Sequence, residues 1–253
     1  MLKYDPSGRL PSSKELPDSD DTPVDNQLQK SIPDLLRSVL AMAWADSMDW
    51  FFGIRIGIYY DPNLPAIVPD AFLSLGVKRF YDENLRLSYV LWEEKKLPIL
   101  VLEVVSHIDR GEYSTKKAEY AKLGFLYYVV YNPFHDENSR LEVYKLVNNV
   151  YELHGGNPVW LPEIGLGIGI ERGTYLGIPR EWMYWYNQQG QRFLTPEEDK
   201  KLAQQEVQQA KQKVQQAKQE VQQAEQKAQQ AQQETQLLRE RLRSLGIDPD
   251  SLT

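Results

Sequence analysis

Between Pro98 and Ser106 the chain reads Pro-Ile-Leu-Val-Leu-Glu-Val-Val-Ser, an apolar run broken by a single carboxylate, Glu103. A short apolar run of this kind is the sign of a strand buried on both faces, as found in α/β sheets covered on each side. Strand geometry puts Ile99, Val101, Glu103 and Val105 on one face. A carboxylate left unpaired there would cost several kcal/mol or titrate far above its usual range. Glu103 therefore demands a cation. Either a basic side chain answers it, in a buried structural salt bridge, or a metal does.

The segments around this strand predict an α/β domain. Residues 28–49 carry Leu35, Leu36, Val39, Leu40, Ala43 and Trp44 at helical spacing. Residues 53–60 alternate as a strand, and 66–75 are extended. Residues 112–123 form a helix closed by Gly124, and 125–131 form a second buried strand ended by Asn132-Pro133. Residues 140–146 and 149–153 pair as a hairpin across Val147-Asn148.

Composition changes twice along the chain. Residues 1–25 are rich in Pro, Ser and Asp and read as a flexible, acidic arm. Residues 26–190 hold all six Trp; about 165 residues suit one domain with its own core. Residues 191–253 are a linker followed by a Gln-rich helical tail. With no Cys, the chain has no disulfides, Cys-ligated zinc, iron–sulfur cluster or thiol nucleophile. Three scattered His do not make a His-rich metal site. The most apolar stretch, 35–54, contains Arg37, Asp46 and Asp49 and is no membrane span. The N-terminus lacks the apolar core of a signal peptide. The expectation is a soluble cytoplasmic protein without a membrane partner. A net charge of −7, from 29 Lys+Arg against 36 Asp+Glu, argues against a constitutive high-affinity DNA binder. It leaves room for a nuclease that offsets phosphate charge with metal ions.

The tail has a clear period. Val207, Val214, Val221, Ala228, Thr235 and Leu242 recur every seven residues. The series Ala203, Ala210, Ala217, Ala224, Ala231, Leu238 and Leu245 interleaves with it, which makes an a/d heptad. Thr195-Pro196 begins the helix and Gly246 ends it. About 50 residues at 1.5 Å each give a rod of about 70 Å. It reads either as a solvated single helix or as a coiled coil that joins copies or recruits a partner protein. In a parallel pair, Glu206–Lys211 and Glu234–Arg239 attract, whereas Lys213–Lys218 and Glu220–Glu225 repel. Charge does not select a parallel homodimer.

Asp70, in Ile67-Val68-Pro69-Asp70-Ala71-Phe72, is a second acid in apolar company. It meets Glu103 if their strands pair; otherwise it is an Asp at a strand edge. On the following helix, Lys116 and Lys117 both lie near the stripe of Tyr113, Tyr120 and Leu123, as site cations or as snorkelling side chains. Two acids can hold Mg²⁺ or Mn²⁺ through oxygen. A Lys beside them can orient or deprotonate a water that attacks phosphorus. That is a minimal set for phosphodiester hydrolysis.

The ordered set Pro69-Asp70, Glu103-Val104-Val105-Ser106, Lys116 four before Tyr120, and 124–133 (Gly-Phe-Leu-Tyr-Tyr-Val-Val-Tyr-Asn-Pro) resembles the Uma-two family of restriction-endonuclease-like proteins, in the PD-(D/E)xK nuclease superfamily. The resemblance runs over roughly residues 20–190. It implies a restriction-endonuclease-like αβββαβ core followed by the long helix. It also implies Asp70, Glu103 and the backbone carbonyl of Val104 as metal ligands, Lys116 as the catalytic lysine, Mg²⁺ or Mn²⁺ as cofactor, and DNA as substrate of an endonuclease. The chain departs from the pattern at Val105, where the lysine of (D/E)xK would stand; a lysine moved to the following helix restores the charge. Such proteins often add an acid from the first helix, and Asp25, Asp46 and Asp49 are the candidates. The competing expectations are a catalytically inactive nuclease-like interaction protein working through its coiled coil, and an unrelated α/β domain with a buried Glu103–Lys116 salt bridge.

Other features read as structural. Residues 165–170, Gly-Leu-Gly-Ile-Gly-Ile, lack the Lys-Ser/Thr of a phosphate loop and read as an extended segment packed closely on another backbone. Trp182, Tyr184, Trp185 and Tyr186 read as a core cluster, and His107 as a polar residue at a strand end.

Overall fold

A computed structural model describes residues 10–12, 27–81, 85–106, 110–136 and 139–246. The chain divides into two compact units, residues 1–197 and 198–253.

The first unit is built on a six-stranded mixed sheet of order β1-β3-β5-β6-β7-β8. Its strands are β1 (Trp50–Ile54), β3 (Ala71–Leu75), β5 (Leu100–Val104), β6 (Tyr127–Tyr131), β7 (Leu141–Val147) and β8 (Val150–His154). β5 and β6 are parallel and the other neighbours antiparallel. Helix α3 (Thr115–Leu123) makes the crossover that a parallel pair requires. Helix α1 (Leu28–Ala43) precedes β1. A small parallel pair, β2 (Ile58–Tyr59) with β4 (Tyr89–Val90), and the short helix α2 (Leu91–Glu94) are inserted between β1 and β5. Without those insertions the order is helix, three strands, helix, strand.

Alternation along β5 and β6 sorts the core into two clusters. Leu100, Leu102, Val104, Tyr127, Val129 and Tyr131 pack with α1 and with the antiparallel sheet β11-β10-β9. That sheet comprises β9 (Val159–Leu161), β10 (Leu166–Tyr175) and β11 (Ile178–Tyr186). Val101, Val105, Tyr128 and Val130 pack on the opposite side with Tyr120 of α3 and Phe125. Glu103 shares the parity of Val101 and Val105, so it faces α3.

Several expected boundaries move: α3 begins at Thr115 rather than residue 112, and the extended 66–75 narrows to β3 at Ala71–Leu75. α1 ends at Ala43, not residue 49, because Trp44 leaves helical geometry (φ −116°). Its ring then meets Trp50 edge-on at 5.6 Å. The strand expected over 53–60 breaks at Arg55, whose φ is +50°. That left-handed conformation is costly for a side chain with a Cβ. It is offset by two bonds to Asp70: the Arg55 N–H donates to its carbonyl (3.2 Å), and the guanidinium to its Oδ1 (3.3 Å). The hairpin turn is Asn148-Asn149, with φ +49° and +64°, rather than Val147-Asn148. Asn accepts the left-handed region that a tight hairpin needs, and Val does not.

Residues 165–170 enter β10. An added Cβ on Gly169 would lie 2.6 Å from Asn157 Oδ1 and 2.9 Å from the Pro158 backbone. Gly169→Ala is therefore expected to lower stability by about 1–3 kcal/mol, seen as a lower urea midpoint. An unchanged midpoint would mean that the two segments separate freely. Trp182, Tyr184, Trp185 and Tyr186 are buried, and the Trp185 indole donates to the Leu36 carbonyl at 3.1 Å.

The second unit is almost entirely the helix α4 (Pro196–Ser244), 49 residues with none buried. Among the described residues no helix is long and apolar enough to cross a membrane. Asp25 and His107, like residues 1–25 apart from 10–12, lie outside the described residues.

Candidate active site

The register of β3 against β5 sets Ala71 opposite Leu102. One step beyond that ladder Asp70 reaches the neighbourhood of Glu103. Its Oδ2 accepts the Val104 N–H at 2.8 Å and its Oδ1 faces Arg55. Asp70 thus ties the end of β3 to the backbone of β5. Glu103 points from β5 toward α3. Its Oε2 accepts from Lys116 Nζ at 3.0 Å and its Oε1 from the Tyr120 hydroxyl at 2.5 Å. Lys116 and Tyr120 are four residues apart, one turn of helix, so both reach the same carboxylate. Gly124, at φ +91°, closes α3.

Lys117 goes elsewhere. Its Nζ lies 3.4 Å from the centre of the Tyr144 ring. The ambiguity between the two lysines is thus one of spacing alone, and the structure brings Lys116 to Glu103.

Asp70, Glu103 and Lys116 line one cavity of about 240 Å³ with Gln29, Arg55, Arg110, Glu112 and Tyr120 among others. Asp46 and Asp49 do not line it. The first helix contributes Gln29 instead, whose side-chain amide donates to the Val104 carbonyl at 3.3 Å. Glu112 is buried and stands 3.4 Å from Lys116 Nζ. It sits four residues before Lys116, a spacing that points to it in the sequence. Arg55 and Gln29 had no such signal. Tyr120 counted as an apolar stripe residue, and its hydroxyl is what reaches the site. Val105, in the lysine slot of (D/E)xK, is buried in the apolar cluster beneath α3.

Burial dominates the electrostatics. It pushes Asp70 up to about 6 against the pull of the Val104 N–H, Lys116 and Arg55. It pushes Glu103 up to about 7, with the Asp70 charge adding to the rise and Lys116 opposing it. Burial alone would lower Lys116, but Glu103, Glu112 and Asp70 outweigh it and hold the ammonium above its ordinary range. Tyr120 is driven far up by burial and by Glu103, so it stays a neutral donor. Burial thus outweighs the nearby cations at both carboxyls. The donors are all oxygen, which fits a hard divalent ion. Among the described residues no three His, Cys, Asp or Glu side chains group as a complete metal cage. A metal here would rest on two carboxylates with backbone and solvent oxygens.

A mixed sheet with two carboxylates at paired strands, and a lysine delivered by the crossover helix, makes an α/β domain with one buried acid–lysine cavity. The chain belongs to the Uma2 family, described as "Putative restriction endonuclease", which matches residues 21–174. That match holds Asp70, Glu103 and Lys116 and stops within β10. No curated protein and no solved structure matches the chain.

Proposed function

We propose that this chain is a metal-dependent endonuclease that hydrolyses DNA phosphodiester bonds, and that its long helix joins copies or recruits a partner. The observation that carries this reading is the convergence of Asp70, Glu103 and Lys116 on one cavity. Asp70, Glu103 and the Val104 carbonyl would hold Mg²⁺ or Mn²⁺; a carbonyl oxygen has a second lone pair beside the one Gln29 engages. When bound, such an ion lowers the pKa of water and neutralises charge developing on phosphate.

The chain's own groups do the rest. Tyr120 and Lys116 fix both oxygens of Glu103 and so aim the carboxylate. Lys116, being charged, hydrogen-bonds the attacking water or a non-bridging phosphate oxygen rather than acting as a base. Arg55 and Arg110, at the cavity wall, attract the phosphate backbone. In the reaction a water oxygen bonds to phosphorus and gives up one proton to solvent, the bond from phosphorus to one sugar oxygen breaks, and that oxygen takes a proton from solvent as it leaves.

The test is cleavage of supercoiled plasmid with Mg²⁺ or Mn²⁺, comparing wild type with Glu103→Ala. Wild type should nick or linearise the plasmid and the variant should not. Equal cleavage by both, or none by either, counts against the enzyme. One observation favours a second reading, an inactive nuclease-like interaction protein: Val105 occupies the strand position where a lysine would serve the site directly.

A further inference from the structure

Helix α4 carries an ordered charge pattern that the chemistry of the cavity does not use. Its heptad seam is exposed among the described residues: Val207, Val214 and Val221 are 55–57% exposed and Leu238 is 58% exposed. With Val207 at position a, the g positions from residue 206 onward are Glu206, Lys213, Glu220, Lys227, Glu234 and Arg241. Their sign alternates over these six; Asp199, one heptad earlier, repeats the sign of Glu206.

An antiparallel pair sets a against d and brings g against g and e against e. Let Val221 stack on Ala224 of a second copy. Glu206 then meets Arg241, Lys213 meets Glu234 and Glu220 meets Lys227. At e, Lys218 meets Glu225, while Lys211–Gln232 and Gln204–Arg239 are neutral. Two-fold symmetry repeats every pair. The same register sets Val207 on Leu238 and Ala203 on Leu242, so the larger residues at one end of each helix cover the small ones of its mate.

Neighbouring registers fail. One heptad one way opposes Glu206 to Glu234, Lys213 to Lys227 and Glu220 to itself. One heptad the other way opposes Lys213 to Arg241, Glu220 to Glu234 and Lys227 to itself. The parallel pair retains its two repulsions. Alternation at g thus penalises the parallel pair and the one-heptad slips; a slip of two heptads restores opposite charges at g but shortens the overlap of the two helices by two heptads.

We infer that α4 forms an antiparallel coiled-coil homodimer centred between Val221 and Ala224, with the two helix N-termini at opposite ends of a rod of about 70 Å. This deepens the proposal that the tail joins copies, and it stands apart from the chemistry of the cavity.

The chain has no Cys, so an introduced thiol reports alone. Ala203→Cys and Leu242→Cys are made in the full chain, separately and co-expressed, then oxidised with copper–phenanthroline. The expected result is a disulfide-linked dimer of unlike variants from the co-expressed pair and little linkage from either alone. Self-linkage of each variant alone would overturn the orientation. Light scattering on the wild type should give twice the 29.4 kDa chain mass. A monomer there would overturn the joining role itself, and a larger assembly the dimer.

A charge reversal avoids altering the seam. Glu220→Lys faces Lys227 in the antiparallel pair and Glu225 in the parallel one. It should raise the dimer dissociation constant severalfold, and adding Lys227→Glu should restore it. Tighter association from the single change would overturn the antiparallel arrangement.

Discussion

Replacing Lys116 with Met is expected to cut metal-dependent plasmid nicking by at least about 100-fold, the usual loss when a site gives up one preorganised charged donor. Lys117→Met should leave the rate within a few-fold of wild type. The contrast rests on one turn of α3. Lys116 reaches Glu103 Oε2 at 3.0 Å, while Lys117 lies over the Tyr144 ring. Lys116→Met also removes the cation that opposes the burial of Glu103, so any residual activity should have its acidic limb moved to higher pH. Lys116→Arg keeps the charge with a different reach and should recover part of the loss. Rates measured against metal concentration, with circular dichroism to verify folding, separate these variants. Equal losses for Lys116→Met and Lys117→Met would remove Lys116 from the chemistry.

The second large effect is thermal. Asp70 and Glu103 both titrate above their ordinary ranges of 3.8 and 4.5, at about 6 and about 7. A raised carboxyl pKa means that the folded state binds the proton more tightly than the unfolded chain does. That contribution to stability is fully present below about pH 4 and is lost as pH rises through about 6 for Asp70 and about 7 for Glu103. In chelator, the melting temperature of the first unit should therefore fall across that window.

Millimolar Mg²⁺ or Mn²⁺ should oppose the fall, because a metal needs the same carboxylates ionised. Saturation at a hundred times Kd is worth about 2.7 kcal/mol, or roughly 5–10 °C for a domain of this size. The gain should be small at about pH 5, grow toward about pH 8 and vanish in Glu103→Ala. A metal effect of equal size in Glu103→Ala would mean that the ion binds elsewhere.

Much of this site was legible because buried charge is conspicuous. Glu103 stands out in an apolar strand, and its pairing with β3 follows once 66–75 is read as extended. The helical spacing of Tyr113, Lys116 and Tyr120 predicts which face of α3 meets the sheet. It could not separate Lys116 from Lys117, since both flank the stripe. That choice depends on the docking of α3, a tertiary property. Gln29 was illegible for a related reason. Nothing in a helix of mixed composition marks a polar side chain that crosses 75 residues of sequence to meet Val104. Arg55 was hidden by its strand-like neighbours. Its left-handed backbone is held by contacts with Asp70, not by local preference. The boundary errors at Trp44 and Val147 share that origin: side-chain packing and turn geometry overrode the periodic pattern.

The cation of the site arrives on a helix rather than on the strand. Among its own residues α3 buries only Tyr120. By contrast, every residue of β5 and β6 is buried within the laddered sheet. Local opening draws on regions with few buried contacts, well below the free energy of global unfolding. A fluctuation that lifts α3 takes Lys116 and Tyr120 from Glu103 while leaving Asp70 latched to Val104. The two halves of the site would then differ in lifetime, the acids persisting with the sheet and Lys116 leaving with its helix. Amide hydrogens of α3 should exchange faster than those of β5 and β6, and their exchange rate would report how often Lys116 stands against Glu103.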